Sequence, residues 1–133
     1  MLVVVVIVLS IHVLSAVFWT GSTFLQARSG AAGGEHLLRP QLGGAAVASL
    51  FGVILWGLLH RGGFGPMERV LAIGALAAVL AAGVQGAMGG PAARQLKADA
   101  SNAAARARLA TAQRIAALLL AVALICMVTA RYA

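Results

Sequence analysis

Four apolar stretches, each close to the length that crosses a bilayer, leave this chain little choice of fold. Residues 3–26, 43–60, 67–88 and 113–132 consist almost entirely of Ala, Val, Leu, Ile, Met, Phe and Gly, and a helix needs about 20 such residues to span the hydrocarbon. The opening MLVVVVIVL would favour β structure in water. In lipid an isolated strand leaves its backbone groups unpaired, so helix is the expectation. No basic segment precedes this run and no convincing small-residue cleavage site follows it, so it reads as a retained helix and not a signal peptide. Only 10% of the 133 residues are charged, against about 25% in a soluble domain, which leaves lipid to cover the outside. The predicted fold is an all-α integral membrane protein, a single-domain antiparallel four-transmembrane-helix bundle with short connections.

The connections carry the charge. Arg61-Gly62-Gly63-Phe64-Gly65-Pro66 reads as a turn, and Gly89-Gly90-Pro91 reads as the close of the third helix. Residues 92–112 form a basic, Ala-rich connector of high helix propensity, expected either to extend the fourth helix into water or to lie along the headgroups. His36, beside Glu35 in the first connection, is expected to face solvent. The formal charge of +7 does not indicate nucleic acid, because the basic residues flank apolar segments, where anionic lipid headgroups account for them. Arg28, Arg39, Arg94, Lys97, Arg106, Arg108 and Arg114 fall on one side, and Arg61, Arg69 and Arg131 on the other. That bias predicts a multi-pass protein of a bacterial inner membrane with both termini periplasmic. Cys126 is the sole cysteine, so no internal disulfide exists.

Within this apolar background two histidines stand out, His12 in the first stretch and His60 at the end of the second. Ionisable groups at membrane depth usually face a bundle interior or a cofactor. His12, Ser15, Trp19 and Ser22 share one helical face, and Ser49, Val53, Trp56 and His60 share another. Both histidines fall in the same half of the bilayer, offset by about 9 Å in depth. Two imidazoles suit the axial positions of a b-type haem, with Arg61 and Arg131 placed for its propionates and Trp19 and Trp56 beside it. Copper is the alternative, through His12, His60 and Cys126 with Met67 and Met127 nearby. A third reading keeps the histidines as interhelical hydrogen-bonding groups in a non-catalytic accessory subunit, its Gly/Ala faces docking a second copy or a partner membrane subunit. Gln85, alone in the third stretch, is placed to close a hydrogen bond within the bundle. No P-loop, zinc-protease motif, acidic relay or hydrolase set is present.

The run Ile11-His12-Val13-Leu14-Ser15-Ala16-Val17-Phe18-Trp19-Thr20-Gly21, with its His-x(6)-Trp-x-Gly spacing, resembles the first helix of the copper-resistance protein D superfamily, which includes protoporphyrinogen oxidases of the HemJ type. The tail ending Ala130-Arg131-Tyr132 is similar to the closing helix of that superfamily. The resemblance implies a compact helical bundle with His12 as a haem or metal ligand, and a role in haem, electron or copper handling. The arginine, asparagine and lysine features of the oxidase members are not found at matching positions. Copper-export members are usually longer, so export by this chain alone is not implied.

Overall fold

A computed structural model describes residues 1–133 as an all-helical chain. Its elements are α1 (Leu2–Ser29), α2 (Gly34–Leu59), α3 (Pro66–Val84), a π-helical turn (Gln85–Gly89), α4 (Gly90–Ala98), α5 (Ala103–Thr129) and a closing 3-10 turn (Ala130–Tyr132). Because α3, the π turn and α4 run on without a break, the chain forms four rods. All four are long and apolar enough to cross a membrane. α1 is apolar on every side, with Val3, Leu14 and Val17 all exposed, so it has no polar face to turn to water.

Local chemistry explains the helix ends. α1 stops at Gly30, which adopts the left-handed conformation and returns its N–H to the Gln26 carbonyl. α3 starts at Pro66, which has no N–H to lose, and Glu68 accepts a 3.0 Å bond from the Gly65 N–H. Asn102 caps α5 by accepting from the Ala105 N–H at 3.0 Å. In the preceding turn Asp99 accepts from the Ser101 hydroxyl and N–H, and the hydroxyl bond chiefly holds its carboxyl below the usual range.

Two connections differ from the sequence expectation. The first is only four residues, 30–33, and α2 begins at Gly34 and not near residue 43, carrying His36 and Pro40 inside it. Pro40 removes one bond from the exposed flank of the helix. Buried Glu35 in its first turn gains the Arg106 guanidinium of α5, and that ion pair anchors the early start. The third helix does not close at Gly89-Gly90-Pro91. The π turn widens the backbone there, and the helix continues to Ala98. Gly89 is buried because Leu38 and Leu109 close over it, within 3.3–3.5 Å of where a β-carbon would lie. Gly89 is contact surface and not punctuation. The 92–112 connector is accordingly split, its first part ending the third rod and its second part opening α5.

Packing is built on small residues. Most of the buried face of α5 is alanine, including Ala105, Ala112, Ala116 and Ala123, which lets backbones approach closely. α1 lies along α2 and α5, and α3 lies along α5. α2 and α3, although joined by a short turn, barely meet. The bundle is closed at its basic end, where α4 rejoins α2, and splayed at its histidine end.

Candidate cofactor cavity

The splay begins above a buried polar clamp. Trp19 donates its indole N–H to Gln85 Oε1 at 2.7 Å. Gln85 Nε2 donates to Thr23 Oγ1 at 2.9 Å and to Gln113 Oε1 at 3.0 Å. Gln113 in turn donates to Gln41 Oε1 at 2.8 Å. One network therefore ties α1, α2, the π turn and α5, and its three glutamines have no exposed surface. Unpaired amides in a buried core are costly, so the network fixes the register of all four rods and sets the floor above which α2 and α3 separate.

Above that floor lies a cavity of about 860 Å³, lined by α1, α2, α3 and α5. Twenty of its 26 lining residues are hydrophobic, and its size falls within the ~300–1,000 Å³ range of small-molecule and cofactor sites. Exposed Val53 and Val79 stand at its rim, so it opens toward the apolar side of the bundle. His12, Trp19, Trp56 and His60 all line it.

The two histidines are held in one way at different heights. His12 Nδ1 lies 2.8 Å from the Ala48 carbonyl oxygen. A carbonyl only accepts, so Nδ1 carries the proton. Nε2 makes no hydrogen bond and remains available. Gly52 makes room for the ring, since a β-carbon there would sit 3.1 Å from His12 Cε1. His60 Nδ1 donates to Glu68 Oε1 at 2.9 Å, and its ring packs at a 40° tilt against Trp56, 5.2 Å between centroids. His60 is eight residues beyond Gly52 on α2, which is about 12 Å along a helix axis. Two nitrogens on one metal stand at most about 4 Å apart. The rings share a cavity but do not face each other across a single atom.

The remaining predicted residues divide. Trp19 is 3% exposed and serves the clamp through its N–H while its ring floors the cavity. Arg61 donates Nε to the Gly57 carbonyl, and Arg131 bonds the Tyr132 hydroxyl and lies 4.8 Å over its ring. Both arginines are exposed at the histidine end without lining the cavity. Cys126 lies against Gly74 of α3 and also does not line it, whereas Met67 and Met127 do. The set His12, His60 and Cys126 is therefore not brought together, and no three His, Cys, Asp or Glu side chains converge as metal ligands. Ser15 and Ser22, read as part of a polar stripe, bond back to their own helix.

Glu68 is the residue that sequence reasoning undervalued. It caps the start of α3 through the Gly65 N–H and also fixes the His60 ring. The eight-residue gap from His60 to Glu68, spanned by a Gly-rich turn ending in Pro66, was the available signal. No family model matches the chain, and no curated protein or solved structure matches it.

Proposed function

We propose that this chain is a small inner-membrane binding protein for an apolar ring cofactor, with b-type haem as the ligand its residues fit, serving haem handling or electron transfer. The observation that carries the reading is His12. Its Nδ1–H is anchored on a backbone carbonyl, and its Nε2 is unbonded at the wall of an apolar cavity of cofactor size. That is how proteins orient a metal-binding imidazole, one nitrogen tied so that the other is presented. The apolar lining of the cavity would suit the ligand's apolar body, and its iron would supply redox or ligand-binding chemistry when held by an imidazole. His12 would hold the iron through its free Nε2. His60, clamped by Glu68 about two turns further along, is a polar contact at the mouth. Arg61 and Arg131 are within the same end of the bundle for carboxylates. The resemblance of the His12–Trp19–Gly21 run to the copper-resistance protein D superfamily points in the same direction. Copper is less favoured, because Cys126 packs between α3 and α5 away from both imidazoles.

The test is an optical spectrum of detergent-purified protein from haem-replete cells. Wild type is expected to show Soret and α bands on reduction. His12→Ala is expected to abolish them, and His60→Ala to weaken retention while leaving the band positions of the ligated species. Gly52→Val, which drives a side chain into the His12 ring, is expected to mimic His12→Ala at unchanged helix content. A colourless, haem-free wild type would overturn the reading and leave the accessory-subunit interpretation.

A further inference from the structure

A second cavity, at the opposite end of the molecule, has a different chemistry. It is a groove of about 430 Å³ between α2 and α4. Arg39 of α2 and Arg94 and Lys97 of α4 stand around it, each exposed and none engaged with a carboxylate. Its one acidic lining residue, Glu35, is already committed, because both of its oxygens bond the Arg106 guanidinium. With that pair cancelling, the groove holds three uncompensated positive charges contributed by two helices. Like charges brought together at a helix junction repel, so their convergence has a cost that an anion would reverse.

The groove is also graded along its length. Arg94 and Lys97 lie toward the end of the third rod, whereas Leu42 and Gly86 lie further in along their helices. Gly86 presents open space, with nothing within 4 Å of where a β-carbon would lie. A polar, cationic outer part above an apolar inner part matches a molecule with a phosphate at one end and a hydrocarbon chain at the other. Basic pockets between membrane helices commonly take anionic headgroups in this way.

We propose that the α2/α4 groove is a binding site for the phosphate of an anionic phospholipid, with Arg39, Arg94 and Lys97 on the phosphate and the acyl chain running past Leu42 and Gly86. The site is independent of the histidine cavity and holds whether or not that cavity takes a cofactor. Free inorganic phosphate shares the charged chemistry but not the apolar part, and the grading selects the lipid.

Native mass spectrometry of the full chain in detergent, titrated with phosphatidylglycerol or phosphatidylcholine, reads the proposal directly. Wild type is expected to retain phosphatidylglycerol preferentially, with affinity falling about five-fold for each of Arg39→Gln, Arg94→Gln and Lys97→Gln. Gly86→Leu changes no charge and fills the inner part, and is expected to reduce lipid retention as well. Arg28→Gln, at the same end but outside the groove, serves as the charge-matched control. An equal loss in that control, or equal retention of both lipids, would overturn the site. Displacement of the lipid by millimolar inorganic phosphate, with Gly86→Leu silent, would assign the groove to the free anion and overturn the lipid proposal. Unchanged helical circular dichroism and elution volume separate loss of binding from loss of fold.

Discussion

At the scale of the residue, Gln85 does the most with a single side chain. Its carbonyl takes the Trp19 N–H, and its amide serves both Thr23 and Gln113. Replacing it with Met keeps the volume and removes every bond, leaving the Trp19 indole N–H buried without a partner and the Gln113 carbonyl with only the 3.4 Å bond from Gln41 Nε2. Orphaning such groups costs about 1–3 kcal/mol, and Gln85→Met is expected to fall in that range by thermal or denaturant unfolding in detergent. A neutral result would mean that packing and not the network holds the register. Gln85 was legible in the sequence because it is the lone polar side chain in an otherwise apolar span. Its partners Gln41 and Gln113 were not, because each lies near a span boundary among basic residues, where an amide reads as solvated. Glu35 was hidden for the same reason. Only its approach to Arg106, 71 residues away, turns a loop acid into a buried anchor. His12 was legible as inward-facing, but its hydrogen bond to a backbone carbonyl of α2 has no side-chain signature.

At the scale of the element, glycine had two meanings that local sequence could not separate. Gly62 and Gly63 lie in the turn between α2 and α3, as the punctuation rules expect. Gly89 and Gly90 instead sit inside a continuous rod, and Gly89 is the floor on which Leu38 and Leu109 rest. The contrast gives a paired prediction. Gly89→Val pushes a side chain into both leucines and is expected to destabilise by about 1–3 kcal/mol, the usual cost of overpacking. Gly83→Ala, with nothing within 4 Å of its added carbon, is expected to be neutral or stabilising by up to about 1 kcal/mol through helix propensity alone. Melting temperatures of the two variants in one detergent check the pair, and equal shifts would refute the packing role of Gly89. The four spans were legible because apolar length is a property of each segment. The π turn and the early start of α2 were not, because each depends on a neighbour.

At the scale of the whole molecule, charge and polarity are sorted to opposite ends. The chain brings Arg28, Arg39, Arg94, Lys97, Arg106, Arg108 and Arg114 to the end where the rods close together, and leaves Arg61, Arg69 and Arg131 at the end where α2 and α3 part. Basic flanks are retained on the cytoplasmic side, so the closed end is expected to face the cytoplasm and the histidine cavity to lie in the outer half of the membrane. The same sorting would place the α2/α4 groove against the leaflet whose anionic lipids its cations attract. Two exposed positions report on it, Ser29 beside the first connection and Gly62 in the second. In a Cys126→Ala background, Gly62→Cys is expected to react with a membrane-impermeant maleimide in cells whose outer barrier has been opened. Ser29→Cys is expected to react only after the inner membrane is disrupted. The reverse pattern would put the cavity in the cytoplasmic half, so that a cofactor entering it would exchange with the cytoplasmic leaflet. Because seven cations must otherwise cross the hydrocarbon, at about 2.5–3.5 kcal/mol each at its centre, a mixed population labelled at both sites is not expected.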